Sequence, residues 1–266
     1  MHIIVCIKQV PDSQNVKVDP VTGTLIRSSV DSKMNPFDLF AIETAVRIKA
    51  RTNARITAVS MGPNAALAVL EEALSMGVDE ACLLSDRRFG GADVLATSYT
   101  IAAGIKHLNE PYDLIICGRQ TTDGDTAQVG PSIAENLGIP HISWCSEIVE
   151  ATDKEITVRQ NLSESVLTLK MAYPCLITVE KDIFQPRLPS YLLKEKARSV
   201  KPKIVTYDDL RGVDPTRFGS SGSATQVEKI FEPDNAVEAE SFTGSGKENA
   251  EKMLEVLKKH RFVEVE

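Results

Sequence analysis

The sequence predicts an α/β fold, a Rossmann-like parallel sheet with helices on both faces, antiparallel edge strands and a C-terminal arm. Three observations predict it. Four short apolar runs, at 3–7, 56–60, 81–84 and 114–117, each precede a stretch of helical periodicity. Gly62, Gly90-Gly91 and Gly118 fall where three of those runs give way to the next segment. After Pro140 the pattern turns strand-like, at about 142–149, 155–160, 165–171 and 176–180.

The elements follow in order. Residues 3–7 are almost continuously apolar, as in a strand buried on both faces. Val16 to Ile26 forms two alternating runs around a Pro/Gly turn, which predicts a hairpin inserted at 14–30. Asn35-Pro36-Phe37-Asp38 reads as a helix start, with Asn35 as N-cap and Pro36 in the first helical position. Phe37, Ala41, Ala45 and Ile48 continue it to Arg51. After strand 56–60, Asn64 is expected to cap a helix with the stripe Leu67, Leu70 and Leu74, closed by Gly77. Strand 81–84 leads to a helix from about Ala92 to Leu108. Strand 114–117 leads through a loop to a helix that ends near Leu137 and closes at Gly138. Pro131 either kinks that helix or marks a later start. The four strands after Pro140 are expected to pair antiparallel and extend one edge of the sheet.

From Pro186 the composition shifts. Residues 186–203 carry six basic groups and one acidic, whereas 228–255 carry eight acidic and three basic. Residues 213–225 are rich in Gly, Ser and Thr and read as a linker. A terminal helix is expected from about Lys247 to His260, with Met253, Leu254, Val256 and Leu257 on its apolar side. This region lacks the apolar density for its own core, so it reads as an arm that packs on another surface. The expected division is a nucleotide-binding domain at 1–185 and the arm at 186–266.

Composition narrows the function. Thirty basic and 37 acidic residues give a net charge of −7, and aromatics are 5%, which argue against a nucleic-acid partner. A phosphate ligand must then be held locally, by backbone amides or a few cations. Five scattered cysteines without C-x-x-C read as reduced, buried thiols of a cytoplasmic protein. No leader and no membrane span are expected.

In an open parallel sheet, ligands bind beyond the carboxyl ends of the strands. Four segments converge there: Lys8-Gln9-Val10, Met61-Gly62-Pro63, Phe89-Gly90-Gly91-Ala92-Asp93, and 118–130. Each glycine alone is explained by a turn; together they favour a nucleotide. In the last segment Asp125 or Thr126 is expected to cap the helix, leaving the amides of Ala127, Gln128 and Val129 for an anion. Asp123 and Asp125 would repel a phosphate, so they read as caps, turn residues or ribose contacts. Arg119, the loop's cation, reads equally as a surface ion pair or a ligand contact. Nucleotide and hydrolase motifs such as G-x-G-x-x-G and G-x-S-x-G are absent, and no nucleophile stands beside a base, so any chemistry belongs to a bound cofactor.

Lys8-Gln9-Val10-Pro11-Asp12, Met34-Asn35-Pro36-Phe37-Asp38, Ala73-Leu74-Ser75-Met76-Gly77-Val78-Asp79, Gly118-Arg119-Gln120 and Asp123-Gly124-Asp125-Thr126-Ala127-Gln128-Val129-Gly130-Pro131 resemble the β subunit of electron-transfer flavoproteins. The resemblance runs over essentially the whole chain, and the loop 123–128 with 89–100 is similar to the electron-bifurcating, FAD-binding branch. It implies an α-subunit partner carrying a second FAD, around which the C-terminal arm wraps. It implies a β-subunit FAD that takes a hydride from NADH, the NAD(H) donor. One electron then passes to ferredoxin or flavodoxin and one, through the α-subunit FAD, to an acyl-CoA dehydrogenase-type flavoenzyme. Respiratory relatives hold a structural AMP instead, and a non-redox nucleotide-binding regulatory module is a further alternative. By the resemblance, Cys6, Asn35, Met61 and Gly62 line the adenosine pocket through backbone atoms, Thr122, Asp123, Gly124, Asp125, Thr126, Ala127, Gln128 and Val129 hold ribose and phosphates, and Gly118 and Arg119 belong to the same cofactor site. Gly90, Gly91 and Asp93 stand where NADH or the flavin ring sits, and Leu188 docks the dehydrogenase.

Overall fold

Strands without a polar face persist only where both sides are covered. The structure, a computed structural model describing residues 1–12, 32–228 and 240–263, builds its sheet from such strands. The chain forms two units, Met1–Lys229 and Ile230–Glu266. The first contains β1 (His2–Cys6), β2 (Gln9–Pro11), β3 (Ser32–Met34), α1 (Pro36–Thr52), β4 (Arg55–Met61), α2 (Leu67–Met76), β5 (Glu80–Leu84), α3 (Val94–His107) and β6 (Leu114–Gly118). It continues with α4 (Val129–Leu137), β7 (His141–Ala151), β8 (Glu155–Asn161), β9 (Val166–Ala172), β10 (Cys175–Val179), α5 (Tyr191–Ala197) and β11 (Lys203–Val205).

Nine strands make one sheet, in the order β11-β5-β4-β1-β6-β10-β7-β8-β9. The strands from β11 to β7 are parallel, while β7-β8-β9 run antiparallel at one edge. One sheet face packs Ile42, Ala45, Leu70 and Leu74 from α1 and α2; the other packs Ile101, Ile105 and Ile133 from α3 and α4. The predicted fold class holds: a mostly parallel sheet with helices on both faces and antiparallel edge strands.

Several local expectations are corrected. The strand at 176–180 does not join the antiparallel edge; β10 slots between β6 and β7, parallel to both. All five of its residues are buried, so it has no polar face for an edge hairpin. Asn64 caps no α-helix: it opens a 3-10 turn at 64–66, and α2 starts at Leu67 and ends on Gly77 at φ 116°. Asn35 does stand at the N-cap of α1 with Pro36 first in the helix, as expected, but its side chain makes no cap bond. Neither Asp125 nor Thr126 caps α4, which starts later, at Val129, with Gln128 before it. Pro131 thus falls in the first turn, where its missing N–H costs nothing, which resolves the kink-or-later-start question. The stretch 213–225 is no free linker. Phe218 is 3% exposed and packs on Phe89, Tyr99 and Tyr207, with ring centroids 5.1–5.6 Å away.

β2 and β3 pair antiparallel on either side of the segment that holds the expected hairpin 14–30, which lies outside the described residues. In the second unit, α6 (Gly246–Lys259) opens with a capping box, Ser245 Oγ accepting from the Glu248 amide at 3.3 Å and the Glu248 carboxylate accepting from the Ser245 amide at 2.8 Å. Met253 and Leu254 of its apolar side are exposed. Among the described residues no helix is long and apolar enough to cross a membrane.

Candidate functional site

The parallel strands end together, and the segments beyond β1, β4 and β6 meet there. Asn35 is the junction. It is fully buried, and its Nδ2 donates to the Gln120 carbonyl and to Asp38 Oδ1, both at 2.9 Å, while its Oδ1 accepts from the Thr122 amide at 3.3 Å. A side chain expected to serve its own helix therefore fixes the loop after β6, 85 residues away in sequence. Gln9 ties the segment after β1 to the one after β4, donating to the Ala65 carbonyl at 3.0 Å. Cys6 ends β1, Met61 ends β4, and Gly62 follows it, its amide on the Leu84 carbonyl at 3.1 Å.

Asp38 lies beneath this junction. Its Oδ2 accepts the Lys8 amide at 2.7 Å. A Cβ at Gly118 would fall 2.5 Å from Asp38 Oδ1 and 2.7 Å from the Phe37 carbonyl carbon, so only glycine lets β6 end against α1. Burial pushes the Asp38 carboxyl up to about 7, against the pull of the Asn35 and Lys8 hydrogen bonds.

The loop itself is exposed from Thr122 to Thr126. Asp125 and Ala127 adopt positive φ, 53° and 55°, a strained conformation for non-glycine residues. Asp125 accepts from the Gln120 side chain, and its amide bonds the Thr121 carbonyl at 3.0 Å. Gly124 sits close against Thr121, whose Oγ1 would lie 3.3 Å from an added Cβ, tighter than an ordinary contact. No side chain caps α4. The backbone amides of Val129 and Gly130 thus lack intrahelical partners and form the open N-terminus, in place of the expected amides of 127–129. A Cβ at Gly130 would meet Thr178 Cγ2 at 2.6 Å, so glycine is what seats this end of α4 on β10.

Two cations border the loop, and Arg119 takes one of its two expected readings, the ion pair. Arg119 turns from the loop: its Nη1 pairs with both Glu180 oxygens at 3.0 and 3.1 Å, and its guanidinium lies 4.9 Å from the Trp144 ring centre. Lys8, quoted in the sequence only as part of a segment, instead supplies positive charge at the loop, its Nζ 2.7 Å from both Asp123 oxygens. Burial raises the Asp123 pKa, but the Lys8 bond outweighs it and leaves the carboxyl below its usual range.

Gly90, Gly91 and Asp93 stand apart from this network. The strap 218–225 lies on them: the Ser220 amide donates to the Gly90 carbonyl at 3.1 Å, and Ser223 Oγ accepts from the Asp93 amide at 2.9 Å. Asp93 caps α3 through the Ala96 amide at 3.1 Å and accepts the Thr225 amide at 2.9 Å. Sequence reasoning missed Asp38, Lys8 and Gly130 because each looks ordinary locally: an acid in a first turn, a lysine after a strand, a glycine in a helix.

Leu188 is 85% exposed, with Tyr191 and Leu192 exposed beside it. A groove of about 520 Å³, lined by Phe37, Phe40, Met76 and Pro186 among others, runs at its foot. All five cysteines are buried free thiols.

Comparison with known proteins follows the same lines. A match to the electron transfer flavoprotein domain spans residues 22–210. The chain is 46% identical over 243 residues to "Electron transfer flavoprotein subunit beta" of Megasphaera elsdenii, covering 88% of each chain. It is 44% identical over 266 residues to the protein of the same name from Clostridium acetobutylicum, covering 99% of this chain and 100% of that one. It is 42% identical over 246 residues to "Caffeyl-CoA reductase-Etf complex subunit CarD" of Acetobacterium woodii, covering 92% and 93%.

Proposed function

The chain belongs to the electron transfer flavoprotein family, and on that premise we propose that it is a β subunit that pairs with an α subunit and binds FAD. The observation that carries the nucleotide reading is the uncapped N-terminus of α4 beside the loop that Asn35 fixes. The residues fit a dinucleotide's pyrophosphate in kind. The amides of Val129 and Gly130 meet an anion with the positive end of the helix, without a net positive surface. Asn35 orients the loop, the exposed segment 122–126 takes the ribose side, and Cys6, Met61 and Gly62 border the adenosine side. Asp123 holds Lys8 against the loop, and Gly130 keeps the helix end against β10.

When bound, the flavin supplies the exchange between a hydride from NADH and single electrons, one to ferredoxin or flavodoxin and one, through the α-subunit FAD, to an acyl-CoA dehydrogenase-type partner. The chain's own part is to bind, orient and dock. Leu188, with Tyr191 and Leu192, offers an exposed apolar contact to that partner, set within a basic stretch. The name of the Acetobacterium woodii relative, a subunit of a reductase complex, favours this reading. The division into a nucleotide domain at 1–185 and a docking and α-subunit-binding segment at 186–266 belongs to the same proposal, as does a cytoplasmic location.

One observation favours a second reading, a structural AMP. The strap on Gly90, Gly91 and Asp93 engages the groups expected at the flavin ring or NADH, leaving the joined segments beyond β1, β4 and β6 for a smaller nucleotide. Counting nucleotides in the complex copurified with its α subunit decides between them. Two FAD per heterodimer supports the first reading; one FAD and one AMP overturns it for the second.

A further inference from the structure

Asp38 joins three segments that are distant in sequence. It is 4% exposed, and both carboxylate oxygens accept from donors: Oδ2 from the Lys8 amide after β1, and Oδ1 from the side chain of Asn35 before α1. Asn35 in turn holds the loop after β6 through Gln120 and Thr122, and Gly118 ends β6 against the same carboxyl. We propose that Asp38 is the positioning residue of the nucleotide site: ionised, it fastens these three segments in the arrangement that binds the ligand, and protonated it releases one of them. This inference rests on the nucleotide reading above and adds to it a dependence on proton state.

The chemistry follows from the donor count. An ionised carboxylate only accepts, and here each oxygen faces a donor. A proton on either oxygen makes that oxygen an O–H donor and a weaker acceptor, so its hold on the N–H facing it loosens. Burial opposes ionisation and brings the exchange into the neutral range, at about 7. The charged and titratable groups acting on Asp38 are the Lys8 ammonium from the β1 side and Cys117 from β6; Cys6 lies against Cys117, and Asp123 against Lys8. Contact with Cys6 and burial push the Cys117 thiol up, and Lys8 holds Asp123 down, so both keep one protonation state through neutrality. Asp38 is the carboxyl of this group that changes state there.

The test is the affinity of the full chain for ADP-ribose, whose diphosphate keeps its charge between about pH 6 and pH 8. If only the ionised form binds, a carboxyl titrating at about 7 makes apparent affinity about tenfold weaker at pH 6 than at pH 8. Asp38→Asn presents an N–H to one of the two donors; it is expected to bind weakly at both pH values, with a flat profile. A flat wild-type profile overturns the proposal, and so does an Asp38→Asn chain that keeps the wild-type pH dependence or binds as tightly as wild type at pH 8. Carbon-13 spectra of aspartate-labelled wild-type chain decide without the variant. A buried carboxyl that titrates near neutrality, and titrates lower once ADP-ribose is bound, supports the assignment; one whose titration ignores the ligand overturns it. Binding without pH dependence removes the role of Asp38 alone. Failure of ADP-ribose, AMP and FAD to bind at any pH removes the nucleotide reading and this assignment with it.

Discussion

Arg187 closes on Glu43 of helix α1 in a two-pronged ion pair, Nε to Oε2 at 2.7 Å and Nη2 to Oε1 at 3.1 Å, with the Glu43 side chain 2% exposed. The Arg187 amide adds a third bond at 3.2 Å, and Arg47 holds Oε1 from its other side at 2.7 Å. The residue before Leu188 is thereby fixed to the helix whose first turn carries Asp38.

Breaking that clamp is expected to loosen the docking segment more than the fold. Burial raises the Glu43 pKa, but the bonds from Arg187 and Arg47 outweigh it and leave the carboxyl below its usual range. A depressed pKa means that its stabilisation is present above the unfolded value of 4.5 and is lost as pH falls through the folded one. Glu43→Gln should cost about 1–2 kcal/mol at neutral pH, with the difference from wild type shrinking in acid. Denaturant unfolding at several pH values checks this.

Leu188→Ala should leave stability within about 0.5 kcal/mol, because the side chain is 85% exposed and packs on little. In the complex with the α subunit it should raise the dehydrogenase concentration needed for half-maximal electron transfer, with the flavin count unchanged. Equal effects on stability and transfer would count against a docking role.

At Gly118 the expectation is steric. A methyl group there meets Asp38 Oδ1 and the Phe37 backbone, so Gly118→Ala should destabilise by about 1–3 kcal/mol and weaken nucleotide binding together. Thermal unfolding and ligand titration of the same preparation read both.

Asp38 makes stability and affinity run in opposite directions. Its folded pKa, about 7, lies above the unfolded 3.8, so the stability it contributes is complete below the unfolded value and is lost as pH rises through the folded one. Relative to wild type, Asp38→Asn should therefore gain stability from pH ~5 to pH ~8 while it loses the affinity described above. Melting temperatures across that range test the sign.

The five thiols should be silent in the native chain. Burial pushes Cys82 up to about 11 and Cys145 and Cys175 up to about 12. A thiol reagent at mildly alkaline pH should find few reactive groups before denaturation and five after it.

The alternation of apolar runs and helical stripes was enough to predict the parallel sheet, because the strands buried on both faces cannot hide their composition. β10 was misplaced since a short buried strand carries no mark of which neighbours it pairs with. β11 went unread because Lys203-Ile204-Val205 is only three residues long and two of them are exposed. At the site, the loop 118–130 was legible as a strand-to-helix turn. The turning of Asn35 toward Thr122, and the closing of Asp38 on Lys8, depend on contacts across 87 and 30 residues that no local pattern encodes. The strap escaped notice because its Gly and Ser content masks one buried aromatic, Phe218.

The place of β10 also orders events during synthesis. It is the last of the three strands β6, β7 and β10 to leave the ribosome, yet it sits between the other two. Until Val179 has emerged, the nascent chain has an open gap in the middle of its sheet. Gly130 then has no Thr178 to pack against, so the helix end proposed to receive the phosphates is left unseated. Nascent chains arrested before Cys175 should therefore expose β6 to proteases and lack a nucleotide site, and both should change together when the arrest point passes Val179.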